Sequence, residues 1–439
     1  MFGKQLRKEF LFDERWLNLN HGSFGTYPRV IRDVMRSFQD QAEARPDDFI
    51  RYIYPQLLDS SRLAISNLLN TPVEAVVFVP NATTGVNTVL RNLVYEPGDH
   101  ILYFATIYGA CEKSVAYITE TTPASSVKIE YTYPVEDDWL VSQFHAKVDE
   151  VEKSGGRVKL AIFDTVVSMP GVRMPFESLT AACKERGVLS CIDGAHGVGH
   201  VELDLATLDP DFFVSNMHKW LFTPRGSAIF YVPVRNQHLL RSTLPTSHGF
   251  VPAPKPGVVI NNPFPASTKS PYVLNFEFVG TIDNAPYLCV PAALRFREEI
   301  GGEKKIMGYC HDLAKRAAYR AAEILGTEVL QNKTETLTNA CLSNVRLPLE
   351  PAKIEELAVT KYGLERAAVG MAVRDWMSKA LVDDYETFIA LMWYGGAWWM
   401  RLSAQVYLGL ENFEWAAETL KKLCARVEKG DFAQLKGKL

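Results

Sequence analysis

Between residues 73 and 235 the chain alternates short, almost wholly apolar runs with helical stretches, and this alternation limits its fold more than any other feature. Val76-Val77-Phe78-Val79, Ile101-Leu102-Tyr103-Phe104, Leu160-Ala161-Ile162-Phe163, residues 188–192, Phe212-Phe213-Val214 and residues 228–231 are the runs. A strand with one wet face alternates apolar and polar residues, whereas a run that is apolar throughout is buried on both faces. With helices between them, the runs predict an α/β fold: a mostly parallel, mixed sheet sandwiched by helices.

At 439 residues the chain exceeds one ordinary core, so two domains are expected. After about residue 291 the pattern turns to amphipathic helices, such as 312–325 and 415–427, with a few short strands. Residues 16–290 read as a large domain, and 291–439, joined by 1–15, as a smaller α+β domain. Residues 248–270 are rich in Pro and Gly and read as a long loop, a lid or a binding segment.

The net charge of −4 gives no basic footprint for nucleic acid or an anionic membrane. The longest apolar run, 388–400, is too short to span a bilayer and is broken by Gly395-Gly396. The first residues are charged where a signal peptide needs an apolar stretch, and Gly437-Lys438-Leu439 only partly resembles a peroxisomal address. The 7 cysteines form no Cys-x-x-Cys pair, so neither a zinc site nor a disulfide framework is expected. A cytoplasmic, reducing setting with no metal fits this usage.

Parallel sheets bind ligands beyond the carboxyl ends of their strands, and several chemically useful residues fall there. Lys219 follows the run 212–214 beside His218, and Asp193 follows the run 188–192. Singly they read as a surface lysine and a capping aspartate. Paired in this strand context they suit pyridoxal phosphate, which needs a lysine to carry it and a carboxylate to keep its ring nitrogen protonated. Asn81-Ala82-Thr83-Thr84-Gly85, between a strand and a helix, would cradle a phosphate on free N–H groups, although threonine there also serves as a plain cap. His196 lies three residues past Asp193, within reach of a phenolic oxygen on the cofactor. Tyr108, after another strand, reads as core or as a ring lying over the cofactor. Arg401 sits among apolar neighbours and needs an anion, either a substrate carboxylate or a protein carboxylate.

Asp193-Gly194-Ala195-His196, His218-Lys219, Ala82-Thr83-Thr84, Gly280-Thr281 and Arg401-Leu402-Ser403 together resemble the class V aminotransferase and cysteine-desulfurase family, fold-type I pyridoxal-phosphate enzymes. The resemblance covers nearly the whole chain. Asn20-His21-Gly22-Ser23-Phe24-Gly25, Ile107-Tyr108-Gly109-Ala110-Cys111, the segment 218–226 and Arg401-Leu402-Ser403-Ala404-Gln405-Val406-Tyr407 resemble one subgroup more narrowly. It holds hercynylcysteine sulfoxide lyases, the loline-pathway enzyme and isopenicillin-N-epimerase-like proteins.

The resemblance implies that Lys219 carries the cofactor and moves the α-proton, with Asp193 on the pyridinium nitrogen and His196 on the phenolic oxygen. It assigns Thr83, Thr84 and His218 to the phosphate, adds Asn216 where the family often has serine, and places Ser168 among the cofactor contacts. Thr281, after Gly280, would reach the phosphate of a neighbouring subunit, which implies a homodimer with shared active sites. Arg401 would clamp the substrate carboxylate with help from Asn20 and His21. Tyr108 stands where cysteine desulfurases stack a histidine, which argues against persulfide chemistry and offers a proton donor to a leaving sulfenate.

The implied reaction is C–S β-elimination from a cysteine conjugate, foremost hercynylcysteine sulfoxide. A loline-type cyclisation comes next, then aminotransfer or epimerisation. Cysteine desulfuration ranks lower because Cys341 reads as part of a short strand and not as a mobile nucleophile. A catalytically silent binding protein is disfavoured by the intact set of Lys219, Asp193, His196 and Arg401. The aromatic stretch 393–399 reads as core, or as a cradle for a quaternary ammonium.

Overall fold

The structure is a computed structural model and describes residues 2–253, 256–257 and 262–433. The apolar runs become strands β1 (Val76–Val79), β2 (Asp99–Phe104), β4 (Arg157–Asp164), β5 (Leu189–Asp193), β6 (Phe212–Asn216) and β7 (Ala228–Tyr231), joined by β3 (Ser125–Ile129). They form one sheet in the order β1-β7-β6-β5-β4-β2-β3. β3, β2, β4, β5 and β6 run parallel, while β7 is antiparallel to both its neighbours. β3 has no apolar run in the sequence because it is a half-exposed edge strand.

Successive residues of the central strands enter opposite cores, which is why the runs are apolar throughout. Val77, Ile162, Cys191 and Val214 pack under helices α2 (Ala82–Asn92) and α3 (Gly109–Thr121). Phe78, Phe163, Ile192 and Phe213 face the other core, with α1 (Tyr54–Leu68), α4 (Asp137–Lys153) and α5 (Phe176–Arg186). Neither face of the central sheet is left to water.

The C-terminal part holds β8 (Leu342–Arg346), β9 (Ala390–Tyr394) and β10 (Ala397–Ser403), antiparallel in the order β9-β10-β8. Gly395 and Gly396, which interrupt the apolar run, adopt φ of 57° and 75° and make the two-residue turn of the β9–β10 hairpin. Both positions of such a turn need positive φ, which glycine adopts without strain. Two long helices, Glu303–Leu325 and Leu410–Lys429, pack on each other here, each longer than its amphipathic pattern suggested.

The N-terminal segment runs back along this part. Gly3 donates its N–H to Val406 at 2.7 Å, and Leu17–Asn18 pairs in parallel with Thr387–Phe388, beyond the expected boundary at residue 15. Of the expected loop 248–270, residues 254–255 and 258–261 lie outside the described residues, as does Gly437-Lys438-Leu439. All seven cysteines are buried and unpaired. Among the described residues no helix is long and apolar enough to cross a membrane.

Candidate active site

The carboxyl edge of the sheet gathers most of the candidate residues. α2 begins at Ala82, four residues earlier than the apolar pattern suggested, because Asn81 caps it: its Oδ1 accepts the Thr84 N–H at 2.9 Å and the Thr84 hydroxyl at 3.1 Å. Thr83 and Thr84 therefore lie in the first helical turn and not in a loop before it. Asn216, at the end of β6, accepts the Ala82 N–H through its side-chain oxygen at 2.9 Å. It serves the helix end through that oxygen, while its side-chain NH2 remains to donate. The positive pole of α2 remains, with the half-buried Thr83 and Thr84 upon it. His218 donates Nδ1–H to the Ser227 carbonyl at 3.0 Å, leaving Nε2 for another partner, and burial holds its pKa at about 4.

Lys219 lies one turn past β6, in the short helix Met217–Trp220. Burial pulls its amine down to a pKa of about 8, against the opposing charge of Asp193. Its Nζ stands 3.1 Å from His196 Nε2, while His196 Nδ1 accepts the Trp220 indole N–H at 3.1 Å. An indole can only donate, so Nδ1 is the unprotonated nitrogen and the neutral ring carries its proton on Nε2. Burial keeps that ring neutral, well below its ordinary pKa. Asp193 closes β5, accepting the Ala195 N–H at 3.0 Å and the Cys111 thiol at 3.4 Å.

Arg401, in β10, is 1% exposed. One terminal nitrogen donates to the Ser168 carbonyl at 2.7 Å; the other donates to Asn20 Oδ1 at 2.7 Å and Ser23 Oγ at 2.9 Å. Nε has no partner, and burial lowers the guanidinium pKa to about 10. No partner among these is a carboxylate, so the alternative of a structural salt bridge falls. Ser168 and Asn20 hold the arginine.

His21 departs from expectation. Its Nδ1 bonds the Tyr407 hydroxyl at 3.0 Å and its Nε2 bonds the Lys219 carbonyl, so both nitrogens are used inside the protein. The ring ties the N-terminal segment to the Lys219 backbone and leaves no nitrogen for a substrate. Gly25, with φ of 64°, lies so close that a Cβ would stand 1.7 Å from the His218 carbonyl oxygen.

Tyr108 is 49% exposed at the start of α3. Thr281 is exposed and is not folded into its own chain's Lys219 cluster, although its neighbour Ile282 shares an apolar cleft of about 120 Å³ with Thr84. Of the aromatic stretch, Trp398 and Trp399 are core, their indoles donating to the Gly370 and Tyr394 carbonyls, while Trp393 and Tyr394 are half-buried. Cys341 lies just before β8, buried, its N–H donating to His200 Nε2 at 2.7 Å, and burial pushes its thiol pKa up. Asp164 was missed by sequence reasoning. It closes β4 as Asp193 closes β5, and the same signal, a carboxylate ending an apolar run, would have found it.

A buried amine of low pKa, a carboxylate at a strand end, an imidazole N–H donor and an anion-binding helix end fit a pyridoxal-phosphate enzyme built on a doubly covered α/β sheet. The chain belongs to the family Aminotransferase class-V, whose pattern matches residues 54–352, and it is pyridoxal-phosphate-dependent. It is 39% identical to the L-cysteine desulfhydrase-like protein lolT1 of Epichloe uncinata, covering 99% of this chain and 98% of that protein. It is 26% identical to the hercynylcysteine sulfoxide lyase of Schizosaccharomyces pombe, covering 97% and 98%. Its fold matches the structure of the cystine C-S lyase C-DES with its product cysteine persulfide: the TM-score is 0.70 at 16% identity, over 94% of this chain and 98% of that one.

Proposed function

We propose that this chain is a C–S β-lyase that cleaves a cysteine conjugate, hercynylcysteine sulfoxide foremost, into pyruvate, ammonia and a thiol or sulfenate. Arg401 carries the reading of an amino-acid substrate. Its buried guanidinium meets only uncharged acceptors, Ser168, Asn20 and Ser23, so its charge is left without a protein carboxylate and suits a substrate's. The relatives support the sulfur chemistry, since both are named for it.

Bound pyridoxal phosphate supplies a carbonyl carbon for an amine and a protonated ring that accepts electrons from the substrate Cα. Thr83, Thr84 and the start of α2 would hold its phosphate, with His218 Nε2 free to donate to it. Asp193 would keep the ring nitrogen protonated, and His196, whose proton Trp220 fixes on Nε2, would donate to the phenolic oxygen. Lys219 would hold the cofactor through its amine, and as a free amine it would serve as the base for the substrate's α-proton. With a pKa near 8, an appreciable share of the amine is already unprotonated at neutral pH. Tyr108 gives a proton to the departing sulfur group. Replacing Tyr108 with Phe should slow elimination while the cofactor stays bound, and unchanged turnover would remove it from the scheme. Thr281 reaching a neighbouring subunit makes the working unit a homodimer.

A second reading is carbon-bond formation of the loline type, since Asn20–Gly25 and Arg401–Tyr407 also resemble the loline-pathway enzyme. Pyruvate release decides between them. Cofactor-loaded protein is mixed with L-cysteine or hercynylcysteine sulfoxide, with Lys219→Ala as the blank. Release by wild type alone supports the lyase. A shift of the visible band without pyruvate moves the reading to bond formation, and no visible band at all overturns this account of the site.

A further inference from the structure

Asp164 and Asp193 end adjacent parallel strands and are register partners. Strands in a sheet lie about 4.8 Å apart and paired positions project from the same face, so the carboxyls are neighbours. Two residues back, Ile162 and Cys191 mark that face as the one under α2 and α3. Both carboxyls are buried. Asp193 accepts the Ala195 N–H and the Cys111 thiol, which stabilises its ionised form. Among the described residues Asp164 has no such donor: burial and the charges of Asp193 and Lys219 act on it, but no hydrogen bond does.

The titratable groups around Asp164 are Asp193 on β5, Lys219 past β6 and Cys111 on α3, with Tyr131 and Tyr133 after β3 in the core of the other face. Lys219 is the single base among them. Two buried carboxylates of like charge do not both ionise beside one amine.

We infer that Asp164 keeps its proton and donates it to Asp193, so the pair carries one negative charge and Asp193 presents an oriented carboxylate to the ring nitrogen. Asp164 is then a positioning residue acting through Asp193. Burial and the Asp193 charge both push the Asp164 carboxyl well above the usual carboxylate range, in line with this division. The inference rests on the reading of Asp193 as the partner of the ring nitrogen.

Infrared difference spectra of cofactor-loaded wild type minus Asp164→Asn, at neutral pH, test it. The expected signal is a protonated-carboxyl C=O stretch present in wild type and lost in the variant; loss of a carboxylate stretch instead overturns the inference. A second readout is the pH midpoint of the visible band of the lysine-bound cofactor. Asparagine keeps a neutral donor and should leave the midpoint in place. Asp164→Ala removes the donor, concentrates the charge on Asp193 and should raise the midpoint. A midpoint lowered in Asp164→Asn would mean an ionised Asp164 and overturn the inference. If Asp164→Asn fails to load cofactor, Asp164→Ala takes its place in the difference spectrum: the same C=O stretch is lost, and loss of a carboxylate stretch instead overturns the inference. Wild type lacking a visible band would fault the cofactor reading; a normal band without the C=O stretch faults the shared proton alone.

Discussion

The Trp220 indole N–H donates to His196 Nδ1 at 3.1 Å, and this one bond decides which nitrogen of the histidine bears its proton. The two residues are separated by the whole of β6, so only the folded sheet brings them together. Trp220→Phe leaves a buried acceptor without its donor, and should cost about 1–3 kcal/mol in stability. It also frees the proton to move to Nδ1, so turnover should fall with little change in KM. Urea unfolding and steady-state kinetics check the two effects.

Arg401→Lys keeps the charge and loses the fork that links Ser168, Asn20 and the unpartnered Nε. A charged hydrogen bond contributes about 1.5–3 kcal/mol, so kcat/KM for an amino acid should fall roughly ten- to hundredfold. The visible spectrum of the cofactor should stay as in wild type. An equal loss with a substrate lacking the α-carboxylate would show that Arg401 does not hold that group.

Lys219 has a pKa of about 8, lowered by burial from an ordinary 10.5. Only the free amine captures an aldehyde, so the rate at which apoprotein takes up pyridoxal phosphate should rise as pH rises through about 8 and level off above it. A midpoint at the ordinary lysine value would mean that the amine is exposed in the apoprotein. Stopped-flow absorbance across pH reads the curve directly.

Gly25→Ala should disturb the site without touching any chemical group. A Cβ there would meet the His218 carbonyl at 1.7 Å, so either the N-terminal segment or the Lys219 turn must move. Because His21 and Asn20 travel with that segment, the variant should lose affinity for both cofactor and substrate. Equilibrium dissociation of pyridoxal phosphate and KM are the measurements, and wild-type values for both would show that the contact is not needed.

The sheet, its two-sided burial and the positions of Lys219, Asp193, Thr83 and Thr84 were legible in the sequence, because a doubly buried strand must be apolar along its whole length and ligands gather at its carboxyl end. The polar edge strand Ser125–Ile129 was not legible, since half-exposed residues carry no such pattern. Within the site, residue types indicated chemistry but not partners. His21, a candidate substrate contact by motif, turned inward to Tyr407 and the Lys219 carbonyl, and Asn216 became a cap for Ala82. Arg401 stood between a substrate clamp and a salt bridge until its neighbours proved to be Ser168, Asn20 and Ser23 and not a carboxylate. Local sequence governs burial pattern and strand ends, which are short-range properties of the backbone. Which groups meet across Asp164–Asp193, His196–Trp220 and Asn20–Arg401 depends on strand register and on the return of the N-terminal segment, and those long-range pairings exist only once the chain has folded.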